Sequence, residues 1–339
     1  MDELSKLPDT ITSVVEASAL FGRILGKAQE FLNKILLTEE IDKNEMHSMS
    51  RLTKIIYGYS HDMQGKGSQN EAKNMFLLEE IILLEEMKGI ELPDFLPRAA
   101  FRILLEKKVK GLSFTTLEFI HNMWAYIEDE VISVLTKHFV NYPQLLPSMM
   151  WAVQNLVAME RKQSEVWVLD VVEMERKTDY TCSPDYLALW KKLMAHHKVF
   201  VEILEDESKT ANMAIDGYGN VDVSHLRSWT GTAVVHEAFD LKMRLMSYWK
   251  IVLQRFVDCV ALHLLFCIRN LVNKDLEVEI TKVVLGPEVK GPERMLEELP
   301  AVAEKRKKLK HSIALLEESK DALAQIDNDI AGIRMGQVV

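Results

Sequence analysis

The stretch FDLKMRLMSYWKIVLQRFVDCVALHLLFCIRNL, residues 239–271, decides the fold of this chain. Its apolar side chains recur at steps of three and four residues, at Phe239, Met243, Met246, Trp249, Leu253, Phe256, Val260, Leu264, Cys267 and Leu271. This spacing places them on one face of an α-helix. A helix of about 45 residues through this region would be roughly 68 Å long at the usual rise per residue. We therefore expect one very long buried helix.

Glycine and proline are scarce in the rest of the chain. There are 14 glycines and 9 prolines among 339 residues, and no proline lies between residues 9 and 92 or between residues 185 and 286. Folds rich in sheets or loops need frequent turns, which draw on both residue types. Proline-free tracts leave room for long helices, and no strand pattern stands out. The sequence predicts an all-α fold of long antiparallel helices.

The C-terminal part carries a heptad repeat. Apolar residues recur every seven positions, at Met295, Val302, Leu309, Leu316, Leu323 and Ile330. This period favours coiled-coil packing against other helices. The same helix carries the basic run of residues 305–310, which is either a solvated helix face or a docking face for an acidic partner.

Residues 209–232 differ from the remainder of the chain. They have no helical period and are enriched in glycine, asparagine, aspartate and serine, so we expect a long loop. Residues 205–235 contain five acidic side chains and two basic ones. Attraction to an anionic membrane is worth about 1 kcal/mol per basic residue, so this loop is not predicted to be an electrostatic anchor.

Charge and cysteine content restrict the partners and the compartment. The formal net charge is −10, which makes the chain as a whole a poor ligand for nucleic acid. Three cysteines without a paired framework are typical of reduced cytosolic thiols. The most apolar tract, residues 251–268, contains Arg255, Asp258 and His263, so no membrane span is predicted. We expect a cytoplasmic protein that binds no nucleic acid.

No constellation of catalytic, cofactor-binding or metal-binding residues is predicted. His236 and Glu237 begin like the HExxH zinc motif, but Asp240 stands at the position of the second histidine. The glycine-flanked lysine in GKGS, residues 65–68, lacks the spacing of a phosphate-binding P-loop. The sequence therefore predicts that this chain is not an enzyme and holds no cofactor.

Four segments resemble a known family, the dynamin superfamily. ELPDFLPRAAFRILLEKKVKGL (91–112) and VVEMERKTDYTCSPDY (171–186) resemble its middle region. SYWKIVLQRFVDCVALHLLFCIRNLVNK (247–274) and ERMLEELPAVAEKRKKLKHSIALLEESKDALAQ (293–325) are similar to its GTPase effector region. The resemblance extends over nearly the whole chain and is strongest to the plant-type Mx-like dynamin-related proteins.

The resemblance implies a stalk, an elongated antiparallel four-helix bundle over residues 10–284. Its parts would be a middle region (10–207), a loop (208–232) and an effector-region helix (233–284). Residues 293–331 would form a helix of the bundle signalling element, which relays the state of a GTPase domain. In this family that domain precedes the stalk and binds GTP and magnesium. We expect it to lie outside this sequence, whether by excision or by natural truncation.

The resemblance also implies residues for self-assembly. The loop that connects stalks in this family corresponds to Met87, Lys88, Gly89 and Ile90. Met174, within VVEMER, matches a position in a symmetric contact between two stalks. Its charged neighbours suit a partner surface, whereas a methionine at helical spacing also suits a bundle core, and the sequence leaves both interpretations open.

The loop over residues 209–232 occupies the place where relatives carry a membrane-binding or target-binding insertion. Lys209, Tyr218, Arg227 and Trp229 are its candidate contact residues, and the two aromatic rings would either insert at an interface or recognise a protein. The main hypothesis is a self-assembling stalk that contacts itself and the GTPase domain of its parent, with a weak peripheral membrane contact. The alternative is a helical adaptor that binds proteins through this loop.

Overall fold

A computed structural model describes residues 11, 13–37, 46–69, 75–87, 97–229, 231–296 and 300–336. Within these ranges the α-helices are α1 (Val14–Leu37), α2 (Met46–Gln69), α3 (Leu78–Met87), α4 (Arg98–Lys110), α5 (Leu112–His138), α6 (Leu146–Lys177), α7 (Pro184–Met194), α8 (His197–Glu205), α9 (Thr232–Asn270), α10 (Leu276–Val284), α11 (Gly291–Leu296) and α12 (Pro300–Gly336). Short 3-10 turns lie at Pro143–Leu145 and Ser224–Leu226. The helical fold class is confirmed.

The longest predicted helix forms as α9. Phe239, Phe256, Val260 and Leu264 of the apolar stripe are all buried along it. A π-helical turn, Leu271–Asp275, separates α9 from α10, so the expected helix of about 45 residues is interrupted near its end.

A β-hairpin, β1 (Asn212–Ile215) and β2 (Gly219–Asp222), lies inside the segment expected to be an irregular loop. The two strands pair antiparallel, with Met213 opposite Val221. Gly217 and Gly219, at the turn, have φ angles of 77° and 97°, a left-handed conformation that glycine adopts without steric cost. The expectation that no strand would be found was wrong at this place, because alternate residues of the segment are buried on one side.

The chain divides into two compact units. Unit 1 comprises Met1–Leu32, Val131–Gln154 and Lys274–Val339, and unit 2 comprises Asn33–Glu130 and Asn155–Asn273. The boundaries predicted from the sequence, 10–284 and 293–331, remain a prediction.

Aromatic packing and buried hydrogen bonds stabilise unit 2. The rings of Phe200 and Phe239 stack at 4.6 Å, joining α8 to α9. The Tyr59 hydroxyl lies 2.9 Å from the Thr116 hydroxyl, and burial raises the pKa of Tyr59 to about 12. This tyrosine therefore remains neutral at any physiological pH and stays a hydrogen-bonding partner inside the core.

Unit 1 has its own apolar contacts. The rings of Phe21 and Phe139 lie 5.6 Å apart and bring α1 against the segment that follows α5. The side-chain amide of Gln144 donates to the carbonyl oxygen of Arg294 at 3.0 Å, which holds the turn before α6 against α11. Contacts between residues more than a hundred positions apart thus define this unit.

A glycine at the start of α11 allows a close approach of two chain segments. A Cβ atom added to Gly291 would lie 2.5 Å from both the Cγ1 atom and the carbonyl oxygen of Val284. We expect Gly291→Ala to lower the free energy of unfolding by about 1–3 kcal/mol, because backbone and core must shift to admit the methyl group. Urea denaturation measures this loss.

Gly22 in α1 supplies the matched control for that substitution. A Cβ atom on Gly22 would meet no atom within 4 Å, so Gly22→Ala should be neutral or stabilising by about 0.5–1 kcal/mol. Equal effects of the two substitutions would show that steric crowding at Gly291 is not what constrains α11.

One helical stretch in the described residues, Thr232–Val284, is long and apolar enough to cross a membrane by composition alone, with a mean hydropathy of 1.9 in its most apolar window. Of that window, 44% is buried. The core helix of a soluble protein meets the same criterion, and α9 buries Phe239, Trp249 and Phe256. The stretch is therefore no argument for a membrane span.

Candidate functional site

The C-terminal end of α6 is held in place by arginine–carboxylate pairs. The Arg176 guanidinium donates to both carboxylate oxygens of Glu173, at 2.6 and 2.7 Å, and to Glu106 of α4 at 2.8 Å. Hydrogen bonds from Arg176 and Lys177 lower the pKa of Glu173 to about 2. The carboxylate is therefore ionised at neutral pH, and the positive charges of Arg176 and Lys177 compensate its negative charge.

Arg255 of α9 binds the same last turn of α6. Its guanidinium binds both oxygens of Glu175 and also donates to the Tyr180 carbonyl oxygen at 2.8 Å and the Tyr248 hydroxyl at 3.0 Å. Burial raises the pKa of Tyr248, so its neutral hydroxyl can donate in turn to the Tyr180 carbonyl at 3.2 Å. Because these groups come from both helices, they fix the position of α6 along α9.

Met174 lies in the sequence between these two ion-paired carboxylates, Glu173 and Glu175. Its side chain is 57% exposed, so it is a surface methionine and not a residue of the bundle core. Glu173 and Glu175 on either side are engaged in ion pairs. Met174 is thus an apolar group presented on a rigid helix turn.

Other apolar side chains are exposed along α6 and α9. The Trp167 and His263 rings stack with their centres 4.1 Å apart, and Glu175, further along α6, binds Arg255, which is earlier in α9. The two helices therefore run antiparallel here. On α9, Leu262 is 67% exposed and Phe266 is 63% exposed. We define the α6/α9 surface by the exposed side chains of Met159, Val166, Leu169, Met174, Leu262 and Phe266.

Sequence reasoning did not find Leu262 and Phe266. A signal existed, because both residues fall between the stripe positions Val260, Leu264 and Cys267. Apolar residues off the core stripe of an amphipathic helix face outward.

The predicted assembly loop is described only at its first residue. Met87 is the last residue of α3 and is half-buried. Lys88, Gly89 and Ile90 lie outside the described residues. The structure therefore places Met87 and Met174 and does not bring them together as one site.

Arg227, a predicted contact residue of the 209–232 loop, instead binds backbone oxygens within unit 2. It donates to the carbonyl oxygens of Ile203 at 2.9 and 3.0 Å, Asp206 at 3.1 Å and Lys209 at 2.7 Å. These carbonyls belong to the end of α8 and the residues after it. The guanidinium therefore caps α8 and closes the loop onto it.

The other three candidate residues of this loop also have partners. Tyr218 is half-buried, with its ring packed edge-on against Phe76, and the Trp229 indole donates to the Glu85 carboxylate at 3.2 Å. The Lys209 ammonium pairs with Glu202 at 3.0 Å. The loop is thus folded against α3 and α8, and its two aromatic rings serve contacts inside unit 2.

Among the described residues, no group of three or more histidine, cysteine, aspartate or glutamate side chains is placed to hold a metal ion. The predicted absence of a cofactor remains an expectation.

Family comparisons cover both ends of the chain. The model of the dynamin central region matches residues 1–195, and that of the dynamin GTPase effector domain matches residues 235–326. Dynamin-related protein 4C from Arabidopsis thaliana is 40% identical over 330 residues, which is 96% of this chain and 49% of that relative. The chain therefore spans about half the length of the curated relative that it matches.

Proposed function

This chain belongs to the dynamin family, and we propose that it is the self-assembling, non-catalytic stalk of a dynamin-like large GTPase. The central and effector regions that match are those of a stalk. In this proposal the GTPase domain of the parent binds GTP and magnesium, and the stalk positions such domains by pairing with further copies of itself. Remodelling of a membrane or another target would be the activity of the whole protein.

The observation that carries this proposal is the exposed apolar α6/α9 surface. Phe266 and Leu262 leave most of their side chains in water, and burial of apolar area is worth about 25 cal/mol per Å². A second copy that presents the same surface would cover these side chains by two-fold symmetry, the commonest arrangement of homo-oligomers. The ion pairs of Glu173 and Glu175 keep the helix backbone at Met174 fixed. Little conformational entropy is therefore lost there when two copies associate.

In this proposal, α12 relays the state of the GTPase domain to the stalk. Leu315, Leu316 and Leu323 are exposed along this heptad helix. A coiled-coil helix is stabilised by burying such positions against partner helices. We assign α12 to the bundle signalling element, whose remaining helices would come from the parent protein.

The adaptor alternative receives less support from the geometry. Its candidate residues Tyr218, Arg227 and Trp229 are engaged in contacts within unit 2. Recognition of a partner by the same groups would require those contacts to break. The stalk proposal also includes a cytoplasmic location and a peripheral contact with a membrane. That contact would use surfaces other than these three side chains.

Met174→Asp tests the proposed self-assembly. A carboxylate buried in an apolar contact without a partner is costly, so we expect the apparent dissociation constant of the dimer to rise at least about tenfold. Sedimentation velocity over a concentration series measures the shift.

Leu187→Asp is the matched control, because Leu187 of α7 is 52% exposed and lies outside the α6/α9 surface. It adds the same charge and should leave association unchanged. If Leu187→Asp and Met174→Asp weaken association equally, net charge and not the α6/α9 surface governs assembly.

A further inference from the structure

Two histidines from different helices face each other at the start of α8 and α9. The Nε2 atom of His197 lies 3.3 Å from the Nδ1 atom of His236, and the ring centres are 5.2 Å apart. Both rings are partly accessible to solvent. The stalk function described above uses neither of them.

The spacing of the two rings matches adjacent corners of a tetrahedral metal site. Zinc–imidazole bonds of about 2.0–2.1 Å at a tetrahedral angle place the two nitrogens about 3.3–3.4 Å apart and the ring centres about 5.2 Å apart. A straight N–H···N hydrogen bond of the same length would place the ring centres about 5.6 Å apart. The observed ring centres are closer than in a straight hydrogen bond, so the two rings are hydrogen-bonded at an angle. Their nitrogens also lie at the separation that one shared metal ion requires.

The charges around the pair also suit a cation. Burial and the neighbouring His236 lower the pKa of His197, which keeps its imidazole neutral and able to ligate at neutral pH. The carboxylate of Asp240, one turn after His236, acts on His197 electrostatically and supplies nearby negative charge. Asp240 itself accepts hydrogen bonds from Trp190 at 2.8 Å and Arg244 at 2.9 Å, so it is held as an outer group and not as a ligand.

We propose that His197 and His236 form a two-histidine site for a divalent transition metal ion that prefers imidazole, such as Zn²⁺, with water in the remaining positions. In the described part of the chain no third histidine, cysteine or carboxylate completes the set. Imidazole ligands select zinc, nickel or copper over calcium and magnesium. Binding would tie the first turn of α8 to the first turns of α9.

The incomplete HExxH motif at His236 could not indicate this pairing. The HExxH pattern requires its second histidine one turn along the same helix, where this chain has Asp240. The structure instead brings the second imidazole from α8, 39 residues away. A pairing of this kind leaves no fixed spacing in the sequence.

The test is Zn²⁺ titration of the tag-free full chain by isothermal calorimetry, with zinc chloride as the probe. We expect one ion per chain at about pH 7.5, and much weaker binding at about pH 5.5, where protons compete for both imidazoles. His197→Ala and His236→Ala should each weaken binding at least about tenfold. Zinc should raise the melting temperature of the wild-type chain and not of these variants.

Two controls accompany the titration. His61→Ala removes a fully solvated imidazole of α2 and should leave zinc binding unchanged. Cys182→Ser with Cys259→Ser removes the two exposed thiols, which are soft ligands for zinc, and should also leave zinc binding unchanged. Should an alanine variant fail to fold, His197→Gln and His236→Gln keep the side-chain volume and answer the same question.

Zinc binding that persists at full affinity in the His197→Ala, His236→Ala double variant would overturn the proposal. A wild-type chain that shows neither binding heat nor a melting shift with zinc in excess would overturn it as well.

Discussion

Glu80→Ala is expected to lower the free energy of unfolding by about 3–5 kcal/mol, because it removes the carboxylate that compensates a buried cation. Glu80 of α3 is 2% exposed and Lys242 of α9 is 8% exposed. Their charged atoms lie 2.9 Å apart, and the Lys242 ammonium also faces the Tyr218 ring at 5.6 Å. The pair therefore joins α3, α9 and the hairpin within unit 2, and urea denaturation measures its loss.

The adjacent residue supplies a matched control for this prediction. Glu79 forms an ion pair of 2.6 Å with Lys107, but the two side chains are 42% and 70% exposed, respectively, far more than Glu80 and Lys242. Glu79→Ala should cost less than about 1 kcal/mol, since exposed pairs are screened by water.

A double replacement separates the ion pair from mere packing. Glu80→Leu combined with Lys242→Met should recover most of the stability lost by Glu80→Ala, because apolar side chains of similar volume carry no desolvation penalty. If Glu80→Ala lowers the free energy of unfolding as little as Glu79→Ala does, burial does not increase the contribution of the Glu80–Lys242 pair to stability.

Arg227→Ala carries the second large expected effect, a loss of about 2–3 kcal/mol. The substitution leaves the carbonyl oxygens of Ile203, Asp206 and Lys209 without their charged donor, and hydrogen bonds to charged groups are the stronger ones. Hydrogen exchange should show faster opening of the hairpin and of the last turn of α8, while the unfolding midpoint in urea falls.

Lys209→Ala is the control for Arg227→Ala, because it removes a cation from the same loop whose ion pair, with Glu202, is exposed to solvent. Its cost should stay below about 1 kcal/mol. Unchanged exchange at the hairpin in Arg227→Ala would contradict the capping function assigned to this arginine. Because Arg227 holds the loop against α8, an Arg227 variant would change target binding in two ways. It would remove a direct contact and it would also unfold the loop.

The helical fold could be predicted because its signals are long and periodic. The apolar stripe from Phe239 to Leu271 repeats over many turns. The boundary between α4 and α5 falls at a glycine, Gly111. Tertiary packing overrode weaker signals elsewhere. α2 continues through Gly65 to Gln69, since a glycine inside a helix costs only about 1 kcal/mol relative to alanine.

The hairpin escaped prediction because its strands are only four residues long. Met213 and Ile215 on β1, and Val221 with the following Val223, alternate with exposed residues and are buried. Such alternation was present in the sequence, but two repeats are too few to distinguish from an irregular loop. The clustered glycines that suggested a loop are the turn of this hairpin.

Contacts of the candidate site depend on residues far apart in sequence. Arg255 and Glu175 are 80 residues apart, and His197 and His236 are 39 apart. No local pattern encodes such pairs, because they are set by the register of one helix against another. Met174 was nominated through family resemblance, and only the structure showed that its side chain is exposed.

Sedimentation equilibrium of the unmodified chain over a wide concentration range tests the central claim most directly. The account predicts reversible, concentration-dependent dimers and larger species, because the α6/α9 surface leaves Leu262 and Phe266 in water in the monomer. A strict monomer at the highest concentrations would contradict the proposal that this chain is a self-assembling stalk.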